Sequence, residues 1–179
     1  MRLFLYISIS FYFFISLLFA EETRQVDKHE HGVSELNIAI QSNTMVLEFM
    51  IPGADIVGFE YEAKSEQDKA TVNAALTKFD DYNNIFIIPI NSKCLLVSSK
   101  ININQEDDHD EHQEEAHNEF YAKYTFECGD IKSLDLLEFP YFETFSNYGE
   151  LEVKFVSEIG STSFEVEADS PIINIEGKI

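Results

Sequence analysis

Basic residues are scarce in this chain. Its 179 residues include 12 lysines and arginines against 33 aspartates and glutamates, and the formal net charge at pH 7 is −21. Phosphate backbones and anionic lipid surfaces repel such a protein, whereas cations are attracted to it. The composition therefore argues against nucleic acid and membrane surfaces as partners. The alternative is that the acidity only keeps the protein soluble.

Long apolar runs are absent after the first twenty residues, so we expect no later membrane span. Residues 1–20 have one charge, Arg2, followed by an apolar stretch that ends at Ala20 before two acids. This pattern predicts a secretory signal peptide cleaved after Ala20, with an uncleaved membrane anchor as the alternative. Residues 21–179 then have the length of a single domain, with two small subdomains that share a core as the alternative.

Cysteine is limited to Cys94 and Cys128. An even count in an exported chain predicts a disulfide, and with it an oxidising compartment such as the periplasm. Two thiolate metal ligands are the alternative, but the cysteines do not have C-x-x-C spacing.

Catalytic motifs are also missing. The chain has no H-E-x-x-H, no G-x-S-x-G and no glycine-rich phosphate loop. We therefore expect no enzyme, and a metal-dependent hydrolase is the weakest hypothesis. No D-x-D-x-D-G calcium loop occurs. Apart from the initiator, the only methionines are Met45 and Met50, which argues against a methionine-type copper(I) carrier.

Alternation of apolar and polar residues predicts six to eight strands, so we expect an α+β fold with mostly antiparallel sheet. The predicted strands span residues 33–40, 45–51, 94–103, 119–128, 131–138, 150–157 and 162–168, with a further extended piece at 172–175. We place a turn at Gly160-Ser161 and a turn or short helix between Pro140 and Asn147.

One clear helix is predicted after Ser65, which we assign as its N-cap. A stripe at i, i+3, i+4 and i+7 gives it one buried face, formed by Val72, Ala75, Leu76 and Phe79. We interpret this stripe as core and expect the helix to end near residue 80.

The five histidines fall into two clusters. The first is an H-x-H pair, His29 and His31, in which both side chains share one side of an extended chain together with Asp27. Two imidazoles supply half of a tetrahedral zinc site, and Asp27 can add an oxygen ligand. The alternative is that these are exposed polar residues of an arm.

The second cluster lies in an acidic run, residues 105–118, placed between two predicted strands. If this run formed a helix on binding, His109 and His112 would be i, i+3 neighbours on one face, Glu115 would continue that face, and His117 would lie off it. In a flexible loop, all three histidines can come together. The alternative is a solvated acidic linker. In either case Cys94 and Cys128 should face each other at the far ends of this hairpin.

Zinc matches clustered histidine best, with nickel and copper(II) as rivals. Nearby carboxylates raise the pKa of an imidazole, and metal binding requires its neutral form. Zinc affinity should therefore fall below about pH 6.5.

Several segments resemble the ZrgA-like proteins of Gram-negative bacteria. These segments are His29-Glu30-His31-Gly32, then Glu35-Leu36-Asn37-Ile38-Ala39-Ile40, then Pro52-Gly53-Ala54-Asp55-Ile56-Val57-Gly58-Phe59-Glu60, then Tyr124-Thr125-Phe126-Glu127-Cys128, and Phe139-Pro140. A histidine-containing acidic insertion precedes Cys128, and the resemblance covers nearly the whole chain after residue 20.

The resemblance implies a non-catalytic periplasmic protein that binds zinc and assists an ABC-type zinc importer or its binding protein. It implies that His29 and His31 match the family's leading H-x-H, and that His109, His112 and His117 match its insertion. Acid dominates the insertion here, whereas family members are often denser in histidine. The competing hypothesis is an envelope structural or interaction module whose acidic loop is only solubilising.

The Pro52–Glu60 segment also has its own interpretation. Gly53 and Gly58 permit turn dihedrals, and Asp55 can accept backbone N–H hydrogen bonds in a tight turn. The functional alternative is that Asp55 or Glu60 supplies an oxygen ligand to the metal.

Overall fold

The computed structural model describes residues 33–105, 118–147 and 149–179. This part of the chain has the expected α+β fold, with eight strands and three α-helices. The strands are β1 (Val33–Gln41), β2 (Thr44–Pro52), β3 (Cys94–Gln105), β4 (Asn118–Cys128), β5 (Leu136–Glu138), β6 (Glu150–Ser157), β7 (Gly160–Val166) and β8 (Ile172–Asn174). The helices are α1 (Gly53–Val57), α2 (Glu66–Asp80) and α3 (Tyr141–Thr144). No helix within these ranges is both long and apolar enough to cross a membrane.

Six strands form one sheet in the order β3-β4-β2-β1-β6-β7, and β5 pairs with β8 in a separate two-stranded sheet. Every neighbouring pair is antiparallel except β1 and β6, which run parallel. The mostly antiparallel sheet confirms the prediction from alternation.

The core lies on one face of the six-stranded sheet. Alternate residues of β1, β2, β4 and β6 are buried there, as the period of two requires. The opposite face is polar and half-exposed. It contains ion pairs such as Lys154 to Glu35 at 2.8 Å and Lys123 to Glu48 at 3.7 Å. A sheet with one buried and one solvated face explains the alternation in the sequence.

Helix α2 covers part of the buried face. The Ser65 hydroxyl accepts a hydrogen bond from the Asp68 backbone N–H at 3.0 Å, which confirms Ser65 as the N-cap. Val72, Ala75 and Phe79 are buried, as the stripe predicted, and the fourth member of the stripe, Leu76, is half-buried against the core. The Phe79 ring stacks on that of Phe120 at 6.0 Å, so the last turn of the helix is fixed against β4.

The hairpin of β3 and β4 brings the two cysteines together. Cys94 and Cys128 are register partners and form a disulfide, with Cα atoms 3.8 Å apart. The prediction that they face each other across neighbouring strands is confirmed.

Two predicted elements differ from the structure. The strand predicted at 131–138 is only three residues long, because Ile131–Ser133 forms a 3₁₀ turn. The Ser133 hydroxyl donates to the Asp130 carboxylate at 2.9 Å, and this local hydrogen bond competes with strand pairing. The turn predicted at Gly160-Ser161 lies two residues earlier, at Glu158 and Ile159, since Ser157 pairs with Gly160 and β7 begins at Gly160.

Candidate functional site

The strand termini that flank both histidine clusters lie at one end of the large sheet. Strands β1, β4 and β6 begin there, and β2, β3 and β7 end there. We name it the Val33 end, after the first residue of β1. The opposite end carries the disulfide.

All five histidines lie outside the described residues, and so do the predicted oxygen ligands Asp27 and Glu115. Their attachment points, however, are described. His31 is two residues before Val33, and the segment that holds the other three histidines joins Gln105 to Asn118. Since these three residues are all at the Val33 end, both histidine clusters are attached to the same end of the sheet.

The register gives the spacing of these attachment points. Pro52 pairs with Glu119, and continuing the β1–β2 register by two residues places Val33 opposite Pro52. Val33 and Glu119 are therefore two strands apart, or about 10 Å. An imidazole side chain reaches several ångströms from its own backbone, so this spacing allows both clusters to supply ligands to one ion.

A short helix that the sequence did not predict packs at this end. Helix α1 follows β2 directly and ends at Gly58, whose φ of 82° is the left-handed conformation typical of a helix C-terminus. The turn dihedral expected at Gly58 is thus present, whereas Gly53 has no positive φ. Gly53 is instead required by packing. A Cβ atom there would lie 2.6 Å from the Phe59 carbonyl oxygen and 2.9 Å from that of Asn118.

Asp55 and Glu60 are the predicted oxygen ligands that fall within the described residues. Asp55 is buried, with 3% of its surface exposed. Its Oδ2 accepts a hydrogen bond of 2.9 Å from the hydroxyl of Ser34 in β1. The Ser34 oxygen is also 3.1 Å from the Tyr141 hydroxyl. Burial, chiefly, raises the pKa of Tyr141, and the charge of Asp55 adds to the shift. The carboxylate is thus linked to the start of β1 through the buried Ser34 hydroxyl, which also contacts Tyr141 of α3.

Asn118 forms the corresponding anchor on β4. Its backbone N–H donates to the Glu60 carbonyl at 2.7 Å, and its side-chain amide donates to the Tyr61 carbonyl. The residue is 4% exposed, so these hydrogen bonds are shielded from water. The backbone that enters β4 immediately after His117 is therefore held by the segment that follows α1.

Acidic side chains also lie at this end, on the side of β6 and β7. Glu150, Glu167 and Asp169 line a surface cleft of about 370 Å³ beside the start of β6, which pairs with β1. No local sequence pattern predicts this cleft, because its residues come from two segments that only the pairing of β6 with β7 brings together. Its negative charge raises the local concentration of cations.

Within the ranges 33–105, 118–147 and 149–179, no three histidine, cysteine, aspartate or glutamate side chains are grouped closely enough to hold a metal ion. Asp55 and Cys94 lie at opposite ends of the sheet, and both cysteines are in the disulfide. The described residues thus hold the strands to which the two histidine clusters are attached, but they do not form a complete set of metal ligands.

A family model described as "ZrgA family zinc uptake protein" matches residues 28–175. The chain belongs to the ZrgA family. The match begins one residue before the H-x-H pair and includes the acidic insertion, so the resemblance seen in the sequence is confirmed over nearly all of the chain after residue 20. No curated protein is significantly similar to this ZrgA family member. Its disulfide fits a protein that resides outside the cytoplasm.

Proposed function

We propose that this protein binds Zn²⁺ in the periplasm and assists its import through an ABC-type transporter without catalysing a reaction. Membership of a zinc-uptake family supports the role in zinc metabolism. The observation that carries the proposal is the attachment of both histidine clusters to the Val33 end. A signal peptide over residues 1–20, cleaved after Ala20, delivers the protein to that compartment.

The proposed ligands are the imidazoles of the two clusters, namely His29, His31, His109, His112 and His117. Carboxylates of Asp27 and Glu115 complete the coordination shell, since zinc accepts nitrogen and oxygen ligands together. The acidic side chains of the loop and of the Glu150 cleft attract the cation before it is bound. Zinc is the cargo of such a protein, so a site of modest affinity that releases the ion to the importer suits the task.

Equilibrium dialysis of the purified, demetallated protein at about pH 7.5 tests the proposal. We expect at least one zinc ion per chain in micromolar zinc, and none when all five histidines are replaced by alanine. A matched control replaces Glu106, Asp107 and Asp108 by their amides, which removes loop charge and keeps every imidazole. The control should bind the same number of ions, more weakly. If the histidine-free protein binds as much zinc as the wild type, the proposed ligands are wrong.

A second candidate function is an envelope module that binds another protein, and one observation favours it. The edge strand β3 begins with an apolar run that is exposed to solvent, with Leu95 at 73% and Val97 at 61% exposure. Exposed apolar side chains beside unpaired strand backbone are typical of strand-addition interfaces. If the intact protein stays empty in the dialysis experiment, this second function is preferred.

A further inference from the structure

Residues 82–105 are the longest run of this chain without an aspartate or glutamate, although these acids make up 33 of its 179 residues. The run ends with β3, an edge strand of the six-stranded sheet, in which Lys100 is the only charged residue. The opposite edge strand, β7, is shorter, contains Glu165 and lies between Glu158 and Glu167. The two edges of the sheet therefore differ in charge as well as in length.

The same acid-free run exposes apolar side chains to solvent. Among the described residues, nine large hydrophobic side chains are exposed, and five of them lie in this run: Ile87, Ile90, Leu95, Leu96 and Val97. The last three are consecutive in β3, at a bulge where the register with β4 shifts. Single exposed apolar residues are normal on a protein surface, whereas a concentration of them beside unpaired strand backbone indicates an interaction surface.

The absence of acid indicates the charge of the partner. A basic partner is attracted by carboxylates, so a surface that binds one benefits from keeping them. An acidic partner is repelled by carboxylates, and their removal from the contact lowers that repulsion. A second copy of this chain, with a net charge of −21, is an acidic partner.

Antiparallel pairing of two β3 strands suits this charge distribution. The outward N–H and C=O groups of two identical edge strands can pair about a two-fold axis, which gives a closed dimer. With the axis near Val97, the exposed apolar runs of the two copies face each other. The two Gln105 Cα atoms are then about 50 Å apart, so the acidic residues that follow them are attached at opposite ends of the interface.

We propose that β3 is a dimerisation edge, at which two copies of this protein pair their β3 strands antiparallel and extend their sheets into one. The proposal goes beyond zinc binding and does not depend on it. One pair of strands forms a small interface, so we expect a dissociation constant in the micromolar range. Salt should strengthen the dimer, because it screens the repulsion between the remaining acidic surfaces. A strand of a different protein is the alternative occupant of this edge.

Analytical ultracentrifugation of the purified protein, from micromolar to submillimolar concentration, tests the proposal. A chelator is present throughout, so that zinc cannot bridge two copies. The test variant is Val97→Glu and the matched control is Ile159→Glu, in the turn between β6 and β7. Val97 is 61% exposed and Ile159 is 65% exposed, so each variant adds one charge at a solvent-exposed apolar position and should keep the melting temperature of the wild type. Amide hydrogen exchange at low and high concentration locates the contact.

The wild type should dimerise with rising concentration, and more strongly in about 500 mM than in about 50 mM NaCl. Val97→Glu should weaken the dimer at least about tenfold, because two like charges meet near the two-fold axis. Ile159→Glu should dimerise as the wild type does. Hydrogen exchange in β3 should slow as the dimer forms, and exchange in β7 should not change.

Four results would overturn the proposal. A wild type that stays monomeric at every concentration would leave the edge to a strand of another protein. A dimer that Val97→Glu does not weaken, or that Ile159→Glu weakens equally, would form elsewhere. Slower exchange in β7 would place the contact at the other edge. Growth beyond a dimer would indicate pairing of unlike edges.

Discussion

Cys94 and Cys128 lie directly opposite each other on β3 and β4, and their disulfide closes the hairpin at the end of the sheet away from Val33. Strand β4 runs from Asn118 to Cys128, so the bond is about 34 Å from the point where the histidine-bearing loop enters this strand. Stabilisation of the hairpin and the proposed zinc binding at the Val33 end are thus spatially separate.

Replacing both cysteines by alanine should lower the free energy of unfolding by about 2–4 kcal/mol, because the unfolded chain regains the freedom that a closed loop removes. Urea denaturation with and without reductant measures this. Reductant should destabilise the wild type and leave the double variant unchanged. Zinc stoichiometry of the folded double variant should equal that of the wild type, and a loss of zinc there would contradict the separation of the two ends.

Gly53→Ala should destabilise the protein by about 1–3 kcal/mol, since the new Cβ would overlap two backbone carbonyl oxygens that cannot move independently. Gly129→Ala is the matched control. Its Cβ would lie 3.3 Å from the Lys93 Cβ and 3.6 Å from the Lys93 Cδ, a much milder approach than at Gly53, so a change of about 1 kcal/mol or less is expected. Chemical denaturation of both variants measures the difference, and equal losses would show that the close approach at Gly53 is unimportant.

The sequence predicted elements whose signal is local. Alternating burial identified β1, β2, β4 and β6, because one face of each strand meets the core and the other meets water. The N-cap at Ser65 identified the start of α2. The sequence places each cysteine at the far end of one strand of a hairpin, so their pairing could be predicted without knowledge of the remaining strands.

Elements that depend on distant partners were not predicted. The parallel pairing of β1 with β6 joins residues more than one hundred positions apart, and no local pattern encodes it. Helix α1 has five residues, too few to be stable without tertiary contacts. It is also too short to show a helical repeat of apolar residues in the sequence. The sequence around Asp55 predicts either a turn residue or a metal ligand. Its hydrogen bond with Ser34, which lies 21 residues earlier, is not encoded in any local pattern.

Alkaline pH should lower the stability of the folded protein through the ionisation of Tyr121. A hydrogen bond to Glu48, more than burial, raises the pKa of Tyr121 from 10.0 to about 12. Because the folded-state pKa is the higher one, the contribution of this tyrosine to stability is complete below pH 10 and is lost as the pH rises through about 12. Glu48→Gln removes the charge and should return the pKa toward 10.0. NMR of ¹³C-labelled tyrosine measures the titration, with Glu127→Gln as control, and an unchanged Tyr121 titration in Glu48→Gln would refute the assignment.

Zinc affinity should fall steeply below about pH 6.5, because protons compete with the metal for imidazole nitrogen. Calorimetric titration at several pH values measures the apparent dissociation constant. The charge-reduced variant with amides at 106, 107 and 108 should show the decline at lower pH, since fewer carboxylates stabilise the imidazolium. An affinity that does not change between about pH 5 and 7.5 would mean that carboxylates, and not histidines, bind the ion.

The most direct test of the central claim is the location of zinc in crystals of the demetallated protein soaked in zinc, by anomalous scattering. Histidines attached at Val33 and Asn118 should place the anomalous peak within about 15 Å of one of these Cα atoms, beyond the Val33 end of the sheet. A peak at the disulfide end, or no peak in crystals of protein with all five histidines intact, would contradict the account.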